Sequence, residues 1–191
     1  FLGVYIERMA DGTIHLTQPH LIDQILDDLQ LNNENVTTKN IPALSSKILS
    51  RHSESEKFDG SFNYKSVIGK LNYLEKSTRS NISYITHQCA RFAIDPKVEH
   101  AQALKHLGRY LKATRKMGTT LKPIEGVDLK VYVDADFCGN WDPKETWDVD
   151  TARSRHGYII SYAGCPVMWK SQLQTEIALS STESEYCGLS Y

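Results

Sequence analysis

Val131-Tyr132-Val133-Asp134-Ala135-Asp136 is the stretch that decides how the second half of this chain folds. Apolar side chains alternate with polar ones, so that Leu129, Val131 and Val133 share one face of an extended chain. Lys130, Tyr132 and Asp134 share the other face. This period of two predicts a β-strand over 129–135, with the Asp134 carboxylate at its end.

A second acidic motif, Leu179-Ser180-Ser181-Thr182-Glu183-Ser184-Glu185-Tyr186, follows near the end of the chain. Ser181 and Thr182 are natural N-cap residues, which predicts a helix that begins at Ser181 and carries Glu185 in its first turns. Two carboxylates on adjacent elements are the minimum needed to hold divalent metal ions against a phosphate. Each motif also has a purely structural interpretation. Asp134 and Asp136 would cap a turn, and Glu183 and Glu185 would stabilise the positive end of a helix dipole.

The sequence of the first half of the chain predicts a hairpin followed by helices. Phe1–Ile6 and Thr13–Thr17 flank Asp11-Gly12, which is a hairpin turn signal. Pro19 opens a helix whose apolar residues recur at helical spacing as far as Leu29, and Asn32-Asn33 end it. Residues 32–60 are polar and predict a loop. Three further helices are predicted from the apolar faces that begin at Tyr64, Ile82 and Val98.

From Gly118 the apolar period changes from helical spacing to two. Strands are predicted at 118–122, 129–135, 157–163 and 166–170, with a last short strand at 176–179. The acidic stretch 140–152 predicts a loop. Helices followed by strands predict two structural units with a boundary near residue 118, and a fold of the α+β or α/β class.

A basic stripe is predicted on the third of these helices. Lys105, Arg109, Lys112 and Lys116 fall at i, i+4, i+7 and i+11, on a different face from the apolar side chains. Residues 97–116 hold six Lys or Arg and one acid, a local charge of 6 − 1 = +5 in a chain of net charge −1. The stripe is either a solvated helix face or a surface that follows a phosphate backbone.

Composition limits the alternatives. The chain has 191 residues, 40% hydrophobic and 24% charged, which is typical of a soluble globular protein. The near-neutral charge gives no whole-chain attraction to nucleic acid or membranes, so any basic surface is local. No apolar run is long enough to span a bilayer. The four cysteines are scattered without a CxxC pair, which predicts reduced thiols in a cytoplasmic or nuclear protein that is not secreted, and no zinc site.

Taken in order, these motifs resemble the Pol polyprotein of copia-type LTR retrotransposons, from the end of reverse transcriptase into ribonuclease H. The resemblance covers nearly the whole chain. It is carried by Phe1–Ile6, Leu16-Thr17-Gln18, Tyr64–Leu74, Thr78-Arg79, Ile82-Ser83-Tyr84, Arg109–Thr114, Asp134-Ala135-Asp136, Gly157-Tyr158, Trp169-Lys170-Ser171 and Leu179–Tyr186.

The resemblance implies a role for each matching residue. Asp134 is similar to the first metal-binding aspartate of ribonuclease H, and Glu185 to its glutamate. With two further acids these bind two Mg²⁺ ions that cleave the RNA strand of an RNA–DNA hybrid. Ser180 and Ser181 are implied phosphate contacts. The hybrid would be recognised by its shape, its phosphates and its 2′-hydroxyls rather than by its base sequence.

The resemblance also implies a domain organisation. Residues 1–60 correspond to the end of reverse transcriptase, 61–117 to a helical connection, and 118–191 to an incomplete ribonuclease H-like mixed sheet with a helix. The polymerase aspartates are expected before Phe1 and the later ribonuclease H acids after Tyr191, so we expect the chain to be a fragment without cleavage activity of its own. Its partners would be nucleic acid and the rest of the polyprotein.

Some positions differ from the family pattern. Ser80-Asn81 stands where the family usually has Pro-Asp, Arg155-His156 replaces small hydroxyl residues, and Glu75-Lys76 is a small insertion. Two other functions therefore stay open, a nucleic-acid-binding module without chemistry and a decayed transposon relic. In the ribonuclease H fold the strand that carries Asp134 is central, so we expect its exposed edge here to favour aggregation.

Overall fold

The computed structural model describes residues 2–44, 49–52 and 54–190, and the chain divides into two compact units, Phe1–Leu121 and Lys122–Tyr191. The helices and strands occur in separate runs along the chain and both sheets are antiparallel, which is the α+β class that the sequence predicts. In chain order they are β1 (Tyr5–Arg8), β2 (Ile14–Thr17), α1 (Pro19–Asp28), α2 (Tyr64–Ser77), α3 (Ser83–Ala90), α4 (Val98–Ala113), β3 (Thr119–Leu121), β4 (Lys130–Ala135), α5 (Val149–Ala152), β5 (Arg155–Tyr162), β6 (Cys165–Leu173) and α6 (Ser181–Leu189).

The predicted hairpin is confirmed, with its first strand displaced along the chain. β1 pairs with β2 in antiparallel register from Tyr5 opposite Thr17 to Arg8 opposite Ile14. Gly12 has a φ of 81°, which a glycine adopts without steric cost. The Asp11 carboxylate accepts the N–H of Thr13 at 3.0 Å and closes the turn. Phe1, the first residue of the predicted strand, lies outside the described residues.

The first unit buries one apolar core between helices α1 to α4. Pro19 occupies the first position of α1, as its fixed φ and missing N–H favour. Asn63 caps α2 by accepting the N–H of Ser66 at 3.0 Å. The side chains that meet in the core are fully buried and come from every helix, among them Ile22, Ile25, Leu71, Leu74, Cys89, Leu104, Leu107 and Leu111. The described part of 32–60 has no helix or strand, as predicted, and residues 45–48 and 53 lie outside the description.

The strand Thr119–Leu121 belongs to the first unit rather than to the second. It pairs with β2, which gives a sheet of order β1-β2-β3. The observed division after Leu121 therefore falls a few residues beyond the predicted boundary. The hairpin, α1 and the helices of 61–117 all belong to this one unit.

The second unit is an antiparallel sheet of order β4-β5-β6 with α6 packed against it, compatible with part of a ribonuclease H-like fold. The predicted strand at 176–179 is wrong, because this segment forms no strand and leads directly into α6. The acidic stretch 140–152 is not a simple loop. It contains a 3-10 helix at Pro143–Glu145 and α5, whose first turns are capped by the carboxylates of Asp142 and Asp148.

Two helical glycines give a matched test of the packing. Gly69 in α2 is exposed, and a Cβ there would meet no atom within 4 Å. A Cβ at Gly108 in α4 would lie 2.6 Å from Cδ1 of Leu31 and 2.7 Å from Cδ1 of Leu29, both buried. We expect Gly69→Ala to raise the free energy of unfolding by about 0.5–1 kcal/mol. Gly108→Ala should lower it by about 1–3 kcal/mol through overpacking.

Urea denaturation followed by far-UV circular dichroism would measure both changes. Equal effects of the same sign in the two variants would contradict the packing of α4 against the segment after α1.

Within the described ranges, no helix has the length and apolar character needed to cross a bilayer.

Candidate functional site

The two acidic motifs lie on β4 and α6. Asp134 is the fifth residue of β4 and pairs with Gly157 on β5. Ser180 is the N-cap of α6, and its Oγ accepts the N–H of Glu183 at 3.1 Å. The Glu183 carboxylate in turn accepts the N–H of Leu179 at 2.7 Å. This reciprocal capping fixes where α6 begins and therefore where Glu185 lies.

Helix α6 packs directly on β4. Ser184 is fully buried, and its Oγ donates a hydrogen bond to the carbonyl oxygen of Asp136 at 2.5 Å. A Cβ at Gly188, one turn further along, would lie 3.4 Å from Cγ1 of Val133 and 3.6 Å from Cβ of Ala135. α6 therefore covers the face of β4 that carries Val133 and Ala135.

The structure places Asp134 and Glu185 on these packed elements, and both residues are exposed. Since side chains alternate along a strand, Asp134 is directed away from the face that α6 covers. Among the described residues, no three His, Cys, Asp or Glu side chains come together in a group that could hold a metal ion. Each carboxylate by itself has the chemistry of a Mg²⁺ ligand, because this ion prefers hard oxygen ligands and is often bound through one or two carboxylates plus waters and substrate phosphates.

Asp136 has the turn-capping role that the sequence offers as an alternative for both aspartates. Its Oδ1 accepts the N–H of Arg155 at 2.7 Å and the N–H of Gly139 at 3.3 Å. Its own N–H donates to the carbonyl of Arg155 at 2.9 Å. Asp136 therefore closes the turn after β4 and joins it to β5, whereas Asp134 makes no such turn contact in the described structure. The nearby glycine at position 139 is the sequence signal for this turn.

The two serines proposed as phosphate contacts differ. The Ser180 hydroxyl is used as the N-cap of α6. Ser181 is exposed in the first turn, where the helix dipole favours an anion. Both assignments stay predictions.

The basic stripe is only partly a helix face. α4 ends at Ala113, so Lys116 lies beyond the helix and the predicted i+11 position is wrong. Thr114 is the C-cap of the helix: its N–H makes the last helical bonds, to the carbonyls of Tyr110 and Leu111, and its own φ of −115° and ψ of 30° are not helical. The Lys112 ammonium donates to the carbonyls of Leu31, at 3.1 Å, and of Asn33. Lys112 thus holds the segment that follows α1.

The other two cations of the stripe are also half-buried. Lys105 places its ammonium 5.9 Å from the centre of the Phe62 ring, a cation–π distance. Arg109 lines a cavity of about 310 Å³, together with Lys39 and His106. A surface that follows phosphates needs cations that reach solvent together, and Lys116 is the exposed member of the four. The nucleic-acid role of the stripe stays a prediction.

His156 is the one histidine buried at this site within the described part of the chain. It is fully buried on β5, and its Nε2 lies 3.2 Å from the side-chain nitrogen of Gln172. Burial lowers the pKa of His156, and the positive charges of Lys170 and Arg155 lower it further. Its Cβ lies under α6, 3.5 Å from where a Cβ of Gly188 would be, which gives His156 a packing role.

Comparison with known proteins gives matches over nearly the whole chain. The retrovirus-related Pol polyproteins from transposons RE1 and RE2 of Arabidopsis thaliana are 35% and 33% identical to it, each over 97% of this chain. The chain spans only 12% of the length of either polyprotein. The secreted RxLR effector protein 161 of Plasmopara viticola is 38% identical over 66% of this chain and 84% of its own length. No protein-family model and no solved structure matches the chain.

Proposed function

Since this chain belongs to the Pol polyproteins of copia-type retrotransposons, we propose that it is the segment that links reverse transcriptase to ribonuclease H. The parent activity would be Mg²⁺-dependent cleavage of RNA in RNA–DNA hybrids, coupled to RNA-directed DNA synthesis. The remainder of the polyprotein and the hybrid would be its partners.

The observation that supports this proposal is the packing of α6 on β4. It brings two acidic motifs that are far apart in the sequence onto neighbouring elements of one sheet unit. Asp134, on the face of β4 opposite α6, and Glu185, on α6, would each contribute one carboxylate to a Mg²⁺ site that further acids of the polyprotein complete. The bound ion would provide the Lewis acid that activates water and stabilises the leaving oxygen.

The other groups at this end of the sheet would act on the substrate or on the site's shape. The exposed hydroxyl of Ser181, at the positive end of the α6 dipole, would bind a backbone phosphate. Asp136 and Ser184 would hold β4 and α6 at a fixed spacing through the hydrogen bond that joins them. Hybrid recognition through phosphates and shape needs no base-specific contact.

Two assays with one labelled hybrid test the proposal. A chimera of the RE1 polyprotein, in which these residues replace the aligned 187-residue segment, should cleave the hybrid with Mg²⁺ and stop when the ion is chelated. The chain alone should bind the hybrid without cleaving it, because two carboxylates are fewer than the four that the complete site is expected to use.

Two results would contradict the proposal. A folded chimera that extends primers and leaves the hybrid intact would refute the nuclease role of this segment. Cleavage by the chain alone that is lost in Asp134→Asn would show that the described residues are a sufficient site, and would refute the expected inactivity.

A further inference from the structure

A line of buried hydrogen bonds joins the end of strand β6 to helix α6 and to the end of β4. Gln174 directly follows β6 and is only 2% exposed. Its side-chain nitrogen donates to the carbonyl of Ser184 at 2.8 Å and to the Ser184 Oγ at 3.3 Å. The Ser184 hydroxyl in turn donates to the carbonyl of Asp136 at 2.5 Å. We call these three residues the Gln174 network.

The sheet fixes the position of Gln174. Its N–H donates to the carbonyl of Ser154 at 2.8 Å, which extends the ladder between β5 and β6 beyond the last pair, Arg155 opposite Leu173. Ser154 is fully buried, and its Oγ accepts the N–H of Cys138 at 3.2 Å. The amide donors of Gln174 therefore reach α6 from a fixed backbone.

The Asp136 end of the network is equally constrained. The N–H of Asp136 donates to the carbonyl of Arg155, and its carboxylate accepts the N–H groups of Arg155 and Gly139. Its carbonyl accepts the Ser184 hydroxyl. Every polar group of Asp136 therefore has a partner, and the chain two residues after Asp134 is tied both to β5 and to α6.

The contact between α6 and β4 offers little apolar surface that could replace these bonds. The buried residues of α6 are Ser184 and Gly188, a hydroxyl and a bare backbone one turn apart. Apolar burial is non-directional, whereas a hydrogen bond weakens steeply when its angle departs from linear. The close approach at Gly188 lets the helix lie near Val133 and Ala135, and the Gln174 network sets its position along the strand.

We propose that Gln174 is a positioning residue, which holds the first turns of α6 on β4 through Ser184 and thereby sets where Glu185 presents its carboxylate. Glu185 follows Ser184 directly in the chain, so a shift of Ser184 moves Glu185 with it. The hold on α6 stands on the contacts above, and its consequence for the metal ligand rests on the proposed nuclease function. Groups that orient a metal ligand without touching the ion affect metal binding almost as much as the ligands do.

Hydrogen exchange of the full chain, measured without metal by mass spectrometry, tests the hold on α6. Gln174→Met keeps an unbranched side chain of similar length and removes the amide donors. Because the lost bonds join α6 to the sheet, we expect the amides of α6 to exchange roughly tenfold faster and those of β5 to keep the parent rate. Unchanged exchange in α6 would overturn the proposal.

Two serines of α6 supply a second variant and its matched control. Ser184→Ala removes the buried hydroxyl that bonds to Asp136. Ser190→Ala removes an exposed hydroxyl that bonds to the Cys187 carbonyl of the same helix. Exchange in α6 should rise in Ser184→Ala and stay at the parent rate in Ser190→Ala. If Gln174→Met and Ser184→Ala accelerate β5 and β6 as much as α6, the network supports the whole unit and the specific hold on α6 is refuted.

Cleavage by the RE1 chimera tests the consequence for the metal ligand. In that chimera Gln174→Met should raise the Mg²⁺ concentration for half-maximal cleavage roughly tenfold, and primer extension should be unchanged. A lower maximal rate with the same Mg²⁺ dependence would overturn the positioning of Glu185. A folded parent chimera that does not cleave would refute the nuclease proposal instead, and the exchange rates would still decide whether Gln174 holds α6.

Discussion

Replacing Asp134 with Asn in the RE1 chimera should slow Mg²⁺-dependent hybrid cleavage roughly a thousandfold, since a lost metal ligand removes several kcal/mol and each 1.4 kcal/mol is tenfold. Asparagine keeps the size of the side chain and removes its charge. Because Asp134 is exposed and makes no turn contact of the kind that Asp136 makes, we expect the fold to be unchanged. Glu185→Gln should have a similar effect.

Matched variants nearby separate this role from general charge effects. The first control is Asp128→Asn, at an acid that lies just before β4. The second is Glu183→Gln, which changes the capping carboxylate two positions before Glu185. We expect both to keep cleavage within a few-fold of the parent chimera, and all variants to keep primer extension. A cleavage rate that is unchanged by Asp134→Asn would contradict the assignment of the metal ligand.

Arg79→Ala should destabilise the first unit by about 3–5 kcal/mol, through the cavity and the acceptors that it leaves without a donor. Arg79 is only 1% exposed. Its guanidinium donates to Asn81 Oδ1 at 3.1 Å, to the Thr114 carbonyl at 3.0 Å and to the Thr114 hydroxyl at 2.8 Å. It also lies 5.5 Å from the centre of the Tyr110 ring. These contacts tie the segment after α2 to the end of α4.

The surroundings of Arg79 also suggest a variant that should stabilise the first unit. Burial lowers the pKa of Arg79, and the described residues place no carboxylate in ion-pair contact with it. Asn81 stands where the family usually has aspartate, so Asn81→Asp should supply the charge and stabilise the unit by about 1 kcal/mol. Arg115, which forms an exposed ion pair with Asp23, gives the control, and Arg115→Ala should cost less than about 1 kcal/mol.

The units can be followed separately in one experiment. Trp141, Trp147 and Trp169 are the three tryptophans of the chain and all lie in the second unit. Far-UV circular dichroism follows mainly the helices of the first unit. Urea unfolding of Arg79→Ala should move the dichroism transition and leave the fluorescence transition in place. A shift of the fluorescence transition alone would contradict the role of Arg79.

Short-range sequence signals predicted the hairpin turn and the helices of the first unit. The apolar faces of α2 to α4, the proline at the start of α1 and the Asp11-Gly12 turn were sufficient for the first unit. The strand predicted at 176–179 was wrong because its short apolar run serves the approach to α6 and pairs with no strand. Strand pairing is not local, so the sequence did not reveal that β3 joins β2.

The candidate site was predictable in part. The sequence placed Asp134 on a strand and Glu185 on a helix, and the structure confirms both elements. It did not distinguish the two aspartates of Asp134-Ala135-Asp136, because a turn contact depends on where Arg155 lies. It also treated the cations of α4 as equivalent, although Lys112 is held by the carbonyls of Leu31 and Asn33.

The pairing of β3 with β2 also bears on how the first unit forms during synthesis. The two strands are far apart in the chain, as shown by the contact between His15 and Thr120, 105 residues apart. Synthesis proceeds at about 5–20 residues per second, and the third strand follows the hairpin only after all four helices have emerged from the ribosome. The hairpin alone is marginally stable in water. The nascent chain therefore keeps an open strand edge for several seconds, and a slower stretch of translation before residue 121 would extend that exposure.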